Sequence, residues 1–255
     1  ENLQVLKTKL PEAIIGSYDE EFEDGIDFTP KKEVEEAINW ADVIVIGPGL
    51  GKSDNSAVLL EQVMKKWNHP MVVDADGLNL LAERMELLEQ HEGPLIVTPH
   101  VGVLAEFIDN GEIALDNIGP NFILTPHIKE MSRLANKTTD EVKNDLSYFA
   151  AAQAYCTVVL KDARTVVGEG RDVEKRKMYI NMSGNNALAT GGSGDVLSGI
   201  IAGIAAQDRE MKPSLAAALG VYIHGLTAER YTETKSRYSM TASDIIDMLP
   251  QVMPE

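Results

Sequence analysis

Short, unbroken apolar runs recur along the chain. Each gives way to glycines or acids and then to a stretch with apolar positions three or four residues apart. The runs include VIVI (43–46), MVV (71–73), PLIV (94–97), FIL (122–124) and TVVL (157–160). Apolar runs without polar alternation, rich in β-branched residues, are the pattern of strands buried on both faces. The intervening periodicity predicts helices at 33–41, 56–67, after DADG to about residue 83, after the second TPH, and over 139–155. Three more close the chain at 192–206, 213–231 and 242–249. ARTVVGEG (163–170) and KRKMYINM (175–182) read as further β segments. Residues 1–30, acidic and weakly periodic (SYDEEFEDGID), read as a peripheral segment. Strands that alternate with helices predict an α/β fold, with a mostly parallel central sheet covered on both faces. No Pro/Gly/Ser-rich linker divides the chain, so 1–255 is expected to be a single domain. Ligands of such sheets bind at the carboxyl ends of the strands. The loops GPGLG, DADG, TPH, LKDA and GGSGD all fall there.

Composition narrows the partners. The formal charge of -17 argues against a nucleic acid, which needs clustered Lys and Arg. It leaves room for a phosphorylated small molecule, which needs only backbone amides and one or two cations. The single cysteine, Cys156, cannot form an intrachain disulfide and sits in an apolar stretch, as a buried small hydrophobe would. No apolar run approaches membrane-spanning length and no basic-apolar leader opens the chain, so a cytoplasmic location is expected. His69, His91, His100 and His224 are scattered without metal-type spacing.

The chemistry concentrates in GNNALATGGSGDVLSGIIAG (184–203). Successive glycines at Gly191, Gly192 and Gly194 let several N–H groups point at one spot, and the following helix adds the positive end of its dipole. That combination suits anionic oxygens. An aspartate there, Asp195, makes sense as the group that takes the proton from a hydroxyl attacking phosphorus. The alternative is a simple helix cap. In LKDARTVV, Lys161 ends a strand and is either a phosphate contact or an exposed hairpin lysine. The glycines of GPGLG, Gly49 among them, make a tight turn or allow close approach of a ligand. In DADG, Asp74 or Asp76 caps a helix or holds magnesium through water, and spacing favours the cap. Pro126 forces Thr125 extended and opens a helix, leaving His127 as either a cap or a substrate contact. The pair LIVTPHVGVLAEF (95–107) and ILTPHIKEMSRL (123–134) is a local near-repeat, 27 residues apart and seen twice only.

Taken in order, VIVIGPGLG, VVDADGLNLL, ILTPHIKEMSRL, VVLKDARTVV, GNNALATGGSGDVLSGIIAGIAAQ and YIHGLTAERY…SMTASDIIDMLP resemble the ADP- or ATP-dependent NAD(P)H-hydrate dehydratases, the YjeF carboxy-terminal domain family. The resemblance runs almost end to end. It implies a ribokinase-like three-layer α/β/α fold and repair of hydrated NADH and NADPH (NADHX and NADPHX). In that chemistry the nucleotide phosphorylates the hydrate hydroxyl, and phosphate elimination restores the double bond. It implies Asp195 as the base, Gly191, Gly192 and Gly194 as the anion hole, and Lys161, Asp162, Ala163, Arg164 and Thr165, with Gly194, around the adenine nucleotide. Gly49 and His127 would approach the damaged dinucleotide, together with Asp195. Mg²⁺ is implied with ATP or ADP, without assigned ligands, as is a homo-oligomer such as a tetramer.

The chain departs from the family pattern in several places. The family's domain starts earlier, with a glycine-rich strand and helix, so one strand and part of the substrate wall are expected to be absent. A family glycine is commoner at Asp162. There are two TPH loops instead of one. His100 has the usual distance from Asp74, whereas His127 has the better downstream match and is the one chosen. GNNALATGG replaces GNPGMATGG, keeping Asn185 and Thr190. Two other functions remain open: a ribokinase-like kinase acting on a sugar or vitamin precursor, and a non-catalytic nucleotide-binding protein.

Overall fold

The apolar runs become strands. The computed structural model describes residues 3–15, 32–84, 86–98, 119–151, 156–169, 177–208 and 210–253. Among these, seven strands form one sheet in the order of the sequence. They are β1 (Ile44–Ile46), β2 (Met71–Val73), β3 (Leu95–Val97), β4 (Phe122–Leu124), β5 (Thr157–Leu160), β6 (Val166–Glu169) and β7 (Lys177–Ile180). β1 to β5 are parallel, whereas β6 and β7 add antiparallel. Every residue of β2 to β5 is buried, as unalternating runs require.

The chain divides into two units, residues 1–41 and 42–255. The first holds α1 (Leu3–Lys9) and α2 (Lys32–Trp40). The α1 helix lies in the stretch read as weakly periodic and peripheral, while the acidic run 17–27 is outside the described residues. The second unit carries the sheet with α3 (Asp54–Lys66), α4 (Asp76–Ala82), α5 (Glu86–Gln90), α6 (Ile128–Leu134), α7 (Thr139–Asn144), α8 (Leu146–Ala151), α9 (Ser193–Gln207), α10 (Pro213–Thr232) and α11 (Ala242–Val252). The helix expected over 139–155 is two helices. Asp145 leaves the helical region at φ -146°, and its Oδ1 accepts the Tyr148 N–H to start α8. A short polar side chain that bonds its own backbone competes with helix continuation. Residues 152–155 of that expectation, and Pro99 and His100 of the first TPH loop, are outside the described residues.

The core that holds the site in place is built where α9 and α10 cross the sheet. Val72, Ile96, Ile123, Val159 and Val167 from five strands pack against Leu197, Ile201 and Ala202 of α9 and Ala217 and Val221 of α10. Burial of ten such side chains fixes the head of α9 above the carboxyl ends of β2 to β5.

Candidate functional site

The loops singled out in the sequence converge at one edge of the sheet. The loop after β1 and the loop after β2 meet backbone to backbone. The Asp74 N–H donates to the Ile46 carbonyl at 3.1 Å. A Cβ on Gly47, which sits at φ +121°, would lie 1.8 Å from the Asp74 carbonyl oxygen. Only glycine fits there. The Gly51 N–H then donates to Asp76 Oδ2 at 3.0 Å. Asp74 Oδ1 accepts the Ala75 N–H at 2.6 Å and the Thr98 hydroxyl from the end of β3. The residue at the cap of α4 is Ala75, which makes no side-chain cap bond. The capping role favoured for DADG is therefore not what these aspartates do. Asp76 pins the glycine loop, and Asp74 ties the ends of β2 and β3 together. Gly49 stands at the tip of that loop, with open space where a side chain would be.

On the other side of the edge, the TPH and LKDA loops pair. The Lys161 N–H donates to the Pro126 carbonyl at 2.8 Å, and His127 and Lys161 form a parallel bridge just beyond β4 and β5. His127 caps α6 in a reciprocal box. Its Nδ1 accepts the Glu130 N–H at 3.1 Å, and Glu130 Oε2 accepts the His127 N–H at 2.7 Å. The second ring nitrogen lies 3.3 Å from Glu130 Oε1. The cap reading of His127 thus holds, and the half-exposed ring still borders the site.

Lys161 is not an exposed hairpin lysine. It is half-buried, and Nζ reaches to 3.5 Å from the point a Cβ would occupy on Gly194. Burial pushes the ammonium below the usual lysine range, and the carboxylates of Glu130, Asp195 and Asp74 oppose that shift. One cation thus gathers the ends of β2, β4 and β5 and the head of α9.

The glycine turn completes the arrangement. Gly192 is the N-cap of α9 in the left-handed region (φ +81°), and contributes no side chain. Asp195 is therefore not the cap. It stands exposed in the first turn, and no hydrogen bond of its carboxylate is found among the described residues. The Ser193 N–H donates to the Thr190 carbonyl at 3.4 Å, and the positive end of the helix with the Lys161 ammonium makes a positive spot beside the exposed Asp195 carboxylate. Asp162, Ala163 and Arg164 lie exposed in the loop from β5 to β6, with Thr165 half-buried at its end.

Two participants were not singled out by their chemistry in the sequence. Glu130 looks like an ordinary helix acid but is buried beside Lys161. His224, one of the scattered histidines, is buried in α10 with Nε2 3.2 Å from Ser193 Oγ. Burial, aided by the nearby Lys161 charge and opposed by the Ser193 backbone, pushes its pKa down to about 4. Spacing offered no signal for His224, which meets the site only through the fold; Glu130, three residues after His127, had capping-box spacing as its signal, but its place beside Lys161 comes from the fold.

A family model described as NAD(P)H-hydrate dehydratase matches residues 1–114 and 110–251. The bifunctional NAD(P)H-hydrate repair enzyme Nnr of Moorella thermoacetica is 36% identical over 223 residues, covering 86% of this chain and 36% of that protein. The Escherichia coli enzyme of the same name is 33% identical over 221 residues, covering 86% and 36%. This chain spans about a third of the length of these curated relatives. Among solved structures, a ribokinase-like superfamily protein from Enterococcus faecalis aligns with a TM-score of 0.61 and 26% identity, over 98% of this chain and 72% of that one. The ADP/ATP-dependent NAD(P)H-hydrate dehydratase from Bacillus subtilis, co-crystallized with ATP/Mg²⁺ and soaked with CoA, aligns with a TM-score of 0.57 and 25% identity, over 82% and 89%. With the family model matched along nearly the whole sequence and the ribokinase-like sheet behind the loops, this chain belongs to the NAD(P)H-hydrate dehydratase family.

Proposed function

We propose that this chain dehydrates hydrated NADH or NADPH, with ATP or ADP as phosphoryl donor. The observation that carries the reading is the meeting of Lys161, Gly194 and the exposed Asp195 carboxylate at the head of α9. Asp195 takes the proton of the hydrate hydroxyl as its oxygen attacks the terminal phosphorus, and the bond from that phosphorus to the rest of the nucleotide breaks. The N–H groups of Gly191, Gly192 and Gly194 and the Lys161 ammonium stabilise the charge spread over the transferring oxygens. The phosphate ester then leaves with the C–O electron pair, and loss of the neighbouring proton restores the ring double bond. The nucleotide is consumed to its lower phosphate, and inorganic phosphate is released.

Nucleotide contacts are assigned to Lys161, Asp162, Ala163, Arg164, Thr165 and Gly194. Gly49 and His127, with Asp195, are assigned to the damaged dinucleotide. The open space above Gly49 and the half-exposed ring of His127 support this. Mg²⁺ is the fitting metal. Among the described residues, no group of three or more His, Cys, Asp or Glu side chains is built to enclose an ion. Mg²⁺ needs only one or two carboxylates beside phosphates and water. Asp74 fits that role, since both of its described hydrogen bonds use Oδ1 and leave Oδ2 available. Bound there, the ion would neutralise phosphate charge. The ATP/Mg²⁺ co-crystallized with the Bacillus subtilis enzyme supports this choice of donor and metal.

We further propose a homo-oligomer in a reducing, cytoplasmic setting. Met178 and Ile180, exposed on the edge strand β7, and Leu215, Leu219 and Tyr222, exposed along α10, support association of copies. Light scattering after gel filtration tests it, and a monomer across micromolar concentrations would reject it. The activity is tested by incubating the chain with hydrated NADPH, Mg²⁺ and either ATP or ADP while following the absorbance of the reduced nicotinamide. Nucleotide-dependent recovery is expected. Nucleotide binding without recovery would redirect the assignment to a kinase of another small molecule or to a non-catalytic binder.

A further inference from the structure

The segment leading into the glycine turn is fastened to α10 at regular intervals. Asn181 Nδ2 donates to the Val221 carbonyl at 3.4 Å, and Ser183 Oγ to the Tyr222 carbonyl at 2.9 Å. The Gly184 N–H donates to Glu229 Oε1 at 2.8 Å. Asn185 Nδ2 reaches the Ala228 carbonyl at 3.2 Å and Thr232 Oγ1 at 3.0 Å, while Asn185 Oδ1 accepts the Ala187 N–H at 2.9 Å. These bonds hold residues 181–187 and stop short of the turn. Gly191 and Gly192 are exposed, and the cap residue contributes no side chain. The next fastening is the contact between His224 of α10 and Ser193, the first residue of α9. Both are 7% exposed, so neither meets solvent freely.

We infer that His224 is a positioning residue for the glycine turn, acting through the Ser193 hydroxyl. The inference rests on the dehydratase reading. His224 does not touch the reacting atoms in this role. It fixes Ser193, and with it the direction of the N–H groups of Gly192 and Gly194 and the rotation of α9 that presents Asp195. The geometry suits a fixed support. The imidazole stands at a buried site where it is held neutral, beside the Lys161 cation, so it keeps one N–H donor and one acceptor across the working pH range. Its backbone carbonyl accepts the Thr227 hydroxyl at 2.7 Å, which anchors the histidine within its own helix. A donor aimed slightly away from the developing charge loses much of its effect, because stabilisation of a transferring phosphoryl group depends on preorganised directions.

The test uses the full chain and the variants His224→Ala, His224→Gln, Ser193→Ala and the double alanine. Two readouts are taken: steady-state recovery of NADPH from its hydrate, and binding of MgADP with and without aluminium fluoride, which mimics the transferring phosphoryl group. His224→Ala and Ser193→Ala should each lower kcat by roughly 10-fold to 100-fold with little change in the KM for nucleotide. The double variant should be no worse than either single one, since both remove the same link. His224→Gln, whose amide can reach the Ser193 hydroxyl, should recover part of the loss. MgADP affinity should hold, whereas the gain on adding aluminium fluoride should shrink in both alanine variants. Unchanged kcat and unchanged fluoride-complex affinity in His224→Ala overturn the inference, as do additive losses. If the wild type binds MgADP with aluminium fluoride but repairs no hydrate, the dehydratase reading fails, and the fluoride-complex affinities of the same variants still decide the role of His224.

Discussion

The buried state of His224 makes a quantitative prediction about acid stability. In the unfolded chain an imidazole takes its proton near pH 6.5, and in the fold this one does so near pH 4. Between those values the unfolded state binds more protons, so stability rises with pH across the window. The contribution is complete above pH 6.5. It is lost progressively as the pH falls toward 4, and it levels off below that, where both states are protonated. About 2.5 pH units at roughly 1.36 kcal/mol each put the full effect near 3 kcal/mol. The perturbation is His224→Gln, which removes the titrating group and keeps a polar partner for Ser193. The assay is urea unfolding at steps from pH 7.5 to 4, followed by the fluorescence of buried Trp67. Other groups shift in both proteins, among them His91, which burial also lowers, so the informative quantity is the difference between the two curves. The wild-type midpoint should fall relative to the variant by about 1 M urea across the window. Parallel pH dependences for the two proteins would refute the burial argument.

Asp195→Asn should keep nucleotide affinity and lower turnover by roughly 10² to 10⁴-fold, as removal of a general base does, and an unchanged rate would reject the base assignment. Lys161→Ala should weaken nucleotide binding by roughly 10-fold to 150-fold, the loss of one charge-assisted contact, measured by calorimetry; equal affinity would remove Lys161 from the phosphate site. Gly47→Ala and Gly49→Ala should separate clearly in urea unfolding. The first drives a Cβ into the Asp74 carbonyl and should cost about 4 kcal/mol or more, whereas the second meets only the left-handed penalty at φ +70°, about 1–2 kcal/mol. Equal costs would contradict the packing of the two loops. Cys156, buried and with its thiol pushed up to about 12, should resist a thiol reagent at pH 8 until the chain unfolds. Rapid labelling of the folded protein would refute its burial.

Much of the architecture was legible because it follows from local pattern. Unalternating apolar runs give strands, so β1 to β5 and the helices α9, α10 and α11 fall within a few residues of the sequence expectation, although only β2 to β5 are buried on both faces and β1, at the end of the strand order, leaves Val45 exposed. The glycine turn was legible for a similar reason: successive glycines before an apolar helix carry their own backbone consequence, and Gly192 does stand in the left-handed region at the cap. The short α1 and α5 and the break at Asp145 escaped the pattern, because a few residues hold too little periodicity to outweigh side-chain bonds to the backbone.

What the sequence by itself determined is therefore the run of strands and helices, the turn that exposes amide groups, and the aspartate beside it. What only the tertiary structure decided is who meets that turn. Lys161 follows one strand, Glu130 lies in the first turn of a helix after another, Asp74 ends a third and His224 lies inside α10; their spacings in the chain carry no mark of a common site. They come together because the parallel strands end in register at one edge and the packing of α9 and α10 across the sheet sets a helix head above it. The roles of Asp74 and Asp76 were decided the same way. Hydrogen bonds within one loop can be read from neighbours in sequence, but the Thr98 and Gly51 partners of these two carboxylates are supplied by other strands' loops, more than 20 residues away along the chain.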